Sequence, residues 1–284
     1  YEEIRKMVSK HTTYFLSREK AISMTPSYDH TDVKRLQLET AEGRLLLRTR
    51  SNLSLGNAVD IKQELNHAHL GGMLTGTELM KILHVIEALT NLRRSVLDCR
   101  ESIPIMIQIA RRIPHLDHIS FSIQAKIEPS GNVKDNATPK LAALRKKVRE
   151  SYERTKDALD KVIESHDQEG IFQDKVISVR NNRLVIQVKS NMRNKITGVV
   201  HDASNSGETL YMEPVTIIGL CNTWKEFSLE EERETTRILM ELSENVGSQT
   251  ENLLSGSLAA SEVDFIMARA RYSHSISGLN LIKN

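Results

Sequence analysis

Two long helical stretches that enclose a β segment constrain this fold more than any other feature. Thr138 and Pro139 make a strong helix start, because a hydroxyl side chain caps the first turn and proline suits the first helical position. Apolar or small residues then recur three or four positions apart, which is the spacing of a coiled-coil seam with one stutter. The seam consists of Leu141, Leu144, Val148, Tyr152, Thr155, Leu159 and Val162. This spacing predicts a helix from 138 to about 166, with Gly170 beyond its end.

A second long helix is predicted to begin near Pro214, where apolar residues again form a stripe. The stripe consists of Ile217, Leu220, Trp224, Phe227, Ile238, Leu242 and Val246. Its middle, 229–237, is nearly all charged, which is typical of a solvated arm. At 1.5 Å of rise per residue, each arm is roughly 40–50 Å long. Because each arm has a seam that needs a partner, we expect the arms to run antiparallel with the β segment at their far end.

The β segment covers 171–212. Asn181–Asn182 suits a two-residue hairpin turn, because asparagine tolerates a positive φ. That turn predicts an apolar face made of Ile177, Val179, Leu184 and Ile186. On the other face it places Arg180 directly opposite Arg183. A second hairpin is predicted within 198–212, which completes a small antiparallel β module.

The rest of the chain has mostly helical periodicity, beginning with a helical pattern over 1–24. Only 4% of residues are aromatic and 27% are charged, which favours long, partly solvated helices over a compact enzyme core. The stretch 120–127 alternates polar and apolar residues, so it is either a strand or the tail of a helix that begins near His115. We therefore predict a mainly α fold. Its parts are a helical core (1–137), an ascending lever helix (138–170), the β module (171–212), a descending lever helix (213–255) and a return to the core (256–284).

Basic residues are concentrated in the β module. Between 175 and 200 there are six lysines or arginines and no aspartate or glutamate. The six are Lys175, Arg180, Arg183, Lys189, Arg193 and Lys195. Like charges that face each other across a hairpin are destabilising, so an anionic partner such as a phosphate backbone is one explanation. Pairing with acidic residues elsewhere in the fold is the other, and the sequence leaves both open. No aromatic residue is interleaved, which favours backbone contact over base stacking.

Candidate catalytic and metal-binding motifs are weak. Histidine, aspartate and serine occur together in 201–207, but neighbours on one turn rarely converge as a triad, and these residues suit a turn. Histidine pairs at 67–69 and 115–118 have no third ligand nearby. The glycine-containing segment 72–77 lacks the lysine of a phosphate loop. We therefore expect this chain to have no catalytic site, no metal and no cofactor.

The remaining features bear on the setting of the protein. Cys99 and Cys221 stand apart with no paired framework, which is typical of a reducing compartment, and we expect the cytoplasm. No apolar run reaches the roughly 20 residues of a membrane span, so no membrane partner is expected. The chain begins at Tyr1 rather than methionine and stops at Asn284 just after a helical stretch, so we expect a piece of a longer protein.

Several runs resemble the second MutS subfamily, the Smr-containing branch. The run GNVKDNATPKL at 131–141 resembles the pattern GxVxDxASPxL that opens a MutS lever helix. The run VRNNRLVIQVK at 179–189 is similar to IRxxRYVxPVK, and GVVHDASNSGETLYMEP at 198–214 is similar to GIVHDxSxSGxTxxxEP. EEERE at 230–234 and DFIMARARY at 264–272 also match. The mismatch-reading Phe-x-Glu pair of the repair branch is absent.

This resemblance implies a core, a lever of long helices and a clamp-like module, and it favours a helix at 120–124. In the full-length family an ATPase domain that uses ATP and Mg follows, then usually an Smr nuclease domain, and the protein is a homodimer. The family's expected partners are branched DNA, through which it suppresses homologous recombination, or collided ribosomes and their rRNA. A nucleic-acid clamp is therefore the leading hypothesis, and a dimerising helical scaffold without nucleic-acid contact is the alternative.

Overall fold

This computed structural model describes residues 1–49, 53–56 and 58–278. The chain folds into two compact units. Unit 1 consists of Tyr1–Val133 and Leu239–Asn284, and unit 2 is Lys134–Ile238. The last six residues of the predicted return to the core, 279–284, lie outside the described residues. Among the described helices, none is both long enough and apolar enough to cross a bilayer.

Unit 1 is helical. Its described elements are α1 (Glu2–Ser9), α2 (Phe15–Ser23), α3 (His30–Thr49), α4 (Lys62–His69), α5 (Gly76–Leu97), α6 (Pro104–Arg111), α7 (Asp117–Lys126), the C-terminal part of α9 (Ile218–Gly247) and α10 (Thr250–Ser275). Unit 2 contains α8 (Pro139–Ser165), the strands β1 (Phe172–Arg180), β2 (Arg183–Lys189), β3 (Gly198–Ala203) and β4 (Thr209–Pro214), and α9 up to Ile238. The fold is mainly α with one small antiparallel sheet, as the sequence predicts.

The predicted helix over 1–24 is wrong, because the structure has two helices there with a break at 10–14. Buried Asp264 on α10 accepts hydrogen bonds from the backbone N–H groups of Thr13 (2.8 Å) and Tyr14 (3.1 Å). It also accepts one from the Thr13 hydroxyl at 2.8 Å. These N–H groups precede α2, so a carboxylate distant in sequence fixes where that helix begins.

The stretch 120–127, left open by its alternation, is helical. It forms most of α7, in which Ile119 and Ile123 are buried one turn apart. Ile127 then leaves the helix and forms an isolated β bridge with Val133. The polar–apolar alternation does not report burial here, because Phe121, one of its apolar residues, is 70% exposed on the helix.

The two arms of unit 2 run antiparallel, since residues late in one helix contact residues early in the other. In order along α8, the contacts are Thr138 with Glu234 (3.1 Å), Arg145 with Glu231 (2.9 Å) and Tyr152 with Trp224 (ring centroids 5.7 Å apart). Thr138 also caps α8, because its hydroxyl accepts the Leu141 N–H at 3.0 Å. The arms are thus joined by ion pairs and hydrogen bonds at one end and by aromatic contact further along.

The sheet has the strand order β1-β2-β4-β3, with all pairs antiparallel. Asn181 (φ 51°) and Asn182 (φ 58°) both have positive φ, as a two-residue turn of this kind requires. Val179 pairs with Leu184 and Arg180 with Arg183, so the predicted register is confirmed next to the turn, whereas irregularities shift it between Asp174 and Ser178. The composition of the apolar face is only partly as predicted: Val179 is 44% exposed, whereas Leu184 is fully buried.

The sheet also curls, which buries a residue on its second face. β1 and β3 lie at opposite edges, yet the Asn181 side-chain amide donates to the His201 carbonyl at 3.1 Å. Arg180 likewise lies 3.7 Å from the Asp202 carboxylate. This approach of the two edges folds the second face inward. Val185, which points to that face, is accordingly fully buried.

The sheet and the arms share one hydrophobic core. The arms and the turn before α9 contribute Leu159, Ile163, Ile217 and Cys221, and the sheet contributes Leu184, Ile186, Val188 and Met212. Trp224 packs against the same cluster. The β module is therefore built onto the ends of the arms, so we expect it to move with them.

The two cysteines should differ in reactivity. Cys221 is buried in this shared core, and desolvation raises the pKa of its thiol to about 12, so it holds almost no thiolate at neutral pH. Cys99 is only half-buried. We expect Ellman's reagent to titrate one thiol in the native chain and two in denaturant. Mass spectrometry should place the native label on Cys99, and native labelling of Cys221 would contradict its place in the core.

Candidate nucleic-acid interface

The six basic residues predicted as contacts do not form one open surface. Arg183 lies on the inward-curled face, where its guanidinium is 3.1 Å from the Glu213 carboxylate and donates to the Asn222 side chain at 2.7 Å. The other Glu213 oxygen is 2.6 Å from Nε2 of His201. The Glu213 side chain is only 3% exposed and that of Arg183 19%. Glu213 therefore neutralises Arg183 inside the module.

Arg180 is also engaged within the chain. Its guanidinium lies over the Tyr211 ring, 4.4 Å from the centroid, and 3.7 Å from the Asp202 carboxylate. Its side chain keeps 41% exposure, so this engagement is looser than that of Arg183. The repulsion expected between Arg180 and Arg183 is thus relieved by Asp202 and Glu213. The sequence allows two explanations for the facing arginines, an anionic partner or acidic residues elsewhere in the fold. In this hairpin the arginines pair with acidic residues of the fold.

Two lysines interact near the junction of α8 and β1. Lys175 forms an ion pair with Asp167, and both side chains are about half exposed. The Lys189 ammonium donates to the Gly170 carbonyl at 3.0 Å, at the residue that ends the helical stretch. A backbone carbonyl supplies no full charge, so the positive charge of Lys189 is not compensated. The charge of Lys175 is compensated by the Asp167 carboxylate.

Arg193 and Lys195 are different. Both lie in the 3₁₀ segment Ser190–Lys195, called here the basic loop, and both are exposed. Among the residues described, neither side chain has an ion-pair or hydrogen-bonding partner. The loop is nevertheless held in place, because the Ser190 N–H donates to the Glu208 carbonyl at 2.9 Å and Ile196 directly after it is buried.

The dismissed catalytic candidates stay apart in space. His201 points to Glu213 and not to the neighbouring serines, and the Ser204 hydroxyl instead accepts the Thr209 N–H at 3.0 Å within its turn. Cys221 lies near Glu213, but its raised pKa removes it as a nucleophile. Within the described ranges, no three histidine, cysteine or carboxylate side chains converge as a metal site would require.

Sequence reasoning missed Glu213, His201 and Asn222 as partners of the basic residues. Glu213 precedes Pro214 in a recognisable run, but nothing local shows that its carboxylate points inward. The pairing of β2 with β4 brings Glu213 near Arg183, and the curl of the sheet then encloses both. A strand register could have suggested the first step, whereas the second depends on the packed structure.

Comparison with known proteins identifies relatives along the whole chain, although no protein-family model matches it. The chain is 34% identical over 288 residues to Endonuclease MutS2 of Halalkalibacterium halodurans and 31% identical over 287 residues to Endonuclease MutS2 of Geobacillus sp.. Both alignments cover 100% of this chain and 37% of the relative. Endonuclease MutS2 of Pelotomaculum thermopropionicum is 32% identical over 276 residues, covering 97% of this chain and 35% of that protein. The chain therefore spans little more than a third of these relatives, and along that length it is similar to MutS2 endonucleases.

Proposed function

We propose that this chain is the non-catalytic part of a MutS2-type protein that grips DNA through its β module. The observation that carries the proposal is the placement of a basic segment at the ends of two long arms, in which Lys189, Arg193 and Lys195 have no ion-pair partner among the described residues. Cations matched to a phosphate backbone supply most of the affinity of non-specific DNA binding. The names of the relatives, which include the word endonuclease, support a nucleic-acid partner.

The shared core suggests how the grip would be controlled. Residues of both arms and of the sheet pack into one cluster, so movement of the arm ends would carry the module with it. In the whole protein, an ATPase using ATP and Mg would drive that movement, and a homodimer would bring two modules around one duplex. We place this work in the cytoplasm, where two unpaired cysteines are stable. The nuclease and ATPase chemistry would belong to parts of the protein beyond this chain's residues.

A dimerising scaffold remains the rival, and one observation favours it. Arg180 and Arg183, the most conspicuous cations in the sequence, already have acidic partners within the module. If the remaining cations were equally incidental, the arms would serve only to join subunits. Collided ribosomes are an alternative target for the same basic surface.

Binding to branched DNA and its salt dependence separate these hypotheses. We expect the chain to bind a four-way DNA junction, and the logarithm of affinity to fall linearly with the logarithm of salt concentration. The slope should be about −2 or steeper, because each phosphate contact contributes roughly −0.9 on duplex DNA. Fluorescence anisotropy between 50 and 200 mM salt gives both quantities.

The comparison ligands decide the partner. A ribosomal RNA hairpin of the same length tests the ribosome alternative, and binding to RNA alone would overturn the DNA proposal. Absence of binding to either nucleic acid at 50 mM salt, where electrostatic binding is strong, would favour the scaffold.

A further inference from the structure

We infer that the basic loop, Ser190–Lys195, is the phosphate-contacting surface of unit 2, that the hairpin arginines are internal structural residues, and that the partner is the backbone of duplex DNA. This inference rests on the proposed function and adds which surface acts and what it recognises.

The hairpin arginines are poor phosphate ligands in this fold. For Arg183 to reach a phosphate, its guanidinium would have to leave Glu213, a carboxylate that is only 3% exposed. A buried charge without its partner is strongly destabilising, so the exchange of Glu213 for a phosphate gains little. Arg180 keeps more freedom, but Asp202 beside it would repel an approaching phosphate. The hairpin therefore presents nearly compensated charge.

The basic loop has the opposite character. Arg193 and Lys195 are exposed, and the described residues offer them no ionic partner that a phosphate would have to displace. The backbone hydrogen bond of Ser190 and the buried Ile196 fix both ends of the loop. Because the backbone of the loop is already anchored, ordering on binding is confined to the two side chains, which favours association.

The composition of the surface indicates the class of nucleic acid. The basic loop contains no aromatic residue. Where unit 2 is described, its exposed large hydrophobic side chains are all aliphatic: Val176, Val179, Val199, Val215, Leu220 and Leu229. The Tyr211 ring is covered by Arg180. Single strands are usually held by stacking on aromatic faces, so this surface suits a duplex backbone better.

The central test compares two double variants with the same change in charge. Arg193→Gln with Lys195→Gln removes both loop cations. Lys156→Gln with Lys161→Gln removes two exposed cations of α8 that likewise have no ion pair among the described residues. We expect the loop variant to reduce the salt slope on a 20-base-pair duplex by roughly 1.8 and to weaken binding at 0.1 M salt at least about tenfold. The α8 variant should change the slope by less than half as much.

Three further binding measurements and a stability control complete the test. Arg180→Gln combined with Asp202→Asn removes this ion pair without changing the net charge, so it should change duplex affinity less than twofold. The backbone carbonyl of Glu208 accepts the Ser190 N–H, so the exposed Glu208 carboxylate lies beside the loop. Glu208→Gln removes this negative charge and should strengthen duplex binding about two- to threefold. Competition with single-stranded DNA of equal length should favour the duplex. Unchanged unfolding midpoints, followed through Trp224, would exclude misfolding as the cause of any loss.

The outcomes separate this inference from the proposed function. If the parent chain binds duplex DNA but the loop variant binds equally well with the same slope, the surface is misassigned and the proposed function stands. A loss of binding in the Arg180→Gln, Asp202→Asn variant instead would assign the surface to the hairpin. A preference for single strands would overturn the duplex partner, and no binding by the parent would overturn the proposed function itself.

Discussion

Replacing Glu213 with alanine is expected to lower the free energy of unfolding of unit 2 by about 3 kcal/mol, at the lower end of what loss of one partner of a buried ion pair costs. Glu213 is 2% exposed and bridges Arg183 and His201. Its removal leaves the Arg183 guanidinium, 19% exposed, with only Asn222 as a hydrogen-bond acceptor. Because some water still reaches Arg183, the upper end of the range is not expected.

The measurement is urea unfolding followed by tryptophan fluorescence. The chain has one tryptophan, and Trp224 packs against the core shared by the sheet and the arms, so its signal reports on unit 2 alone. Glu208→Ala, at an exposed position in the turn directly before β4, is the control and should stay within about 0.5 kcal/mol of the parent. Equal effects of the two substitutions would show that Glu213 is not buried as an ionic partner.

Elements determined by neighbouring residues could be predicted from the sequence. The start of α8 depends on Thr138 and Pro139, which act within one turn of the helix. The register of the first hairpin next to its turn depends on the two asparagines there, which fix the pairing as far as Ser178 with Val185. In both places the determining residues lie within four positions of the structure that they determine, so pattern and propensity suffice.

Elements determined by distant residues could not be predicted in this way. The break between α1 and α2 depends on Asp264, some 250 positions further along the chain. The burial of Val185 depends on the curl that brings β1 to β3. Local periodicity contains no record of either contact, which is why the sequence predicts a helical pattern over 1–24 without a break and does not predict the burial of Val185.

The candidate site shows the same division. The concentration of cations in 175–200 is a property of composition and could be read directly. Which cations are free depends on where carboxylates lie in space, and Glu213 is 30 positions from Arg183. The charge of the stretch 229–237 predicts a solvated arm, and this prediction misses one burial for a related reason. Glu234 within it is 1% exposed, because the opposite arm and its own helix supply its partners.

The stability of unit 2 is expected to fall in acid, because Glu234 must then be protonated. Hydrogen bonds from Arg237, at 2.7 and 3.1 Å, are the main cause that lowers the pKa of Glu234 to about 2, and Lys140 and Thr138 add to the effect. A folded pKa below the unfolded value of 4.5 means that this stabilisation is complete above about pH 5 and is lost as the pH falls toward 2. The shift alone would correspond to roughly 3 kcal/mol. Since Lys140 and Arg237 are 69% and 54% exposed, solvent screening should reduce it to about 1–2 kcal/mol.

Glu234→Gln makes this prediction specific. At pH 7 the variant should unfold at lower urea concentration than the parent, because glutamine keeps the volume but not the charge. Near pH 2.5 the two curves should approach each other, since protonated Glu234 and glutamine are then both neutral. Glu230→Gln, at an exposed position of the same helix, is the control and should follow the parent at every pH. Parallel curves for parent and Glu234→Gln, separated by the same amount from pH 7 to 2.5, would show that ionised Glu234 does not join the arms. Apolar packing, and not interhelical ion pairs, would then explain how this charged stretch of helix is held against the opposite arm.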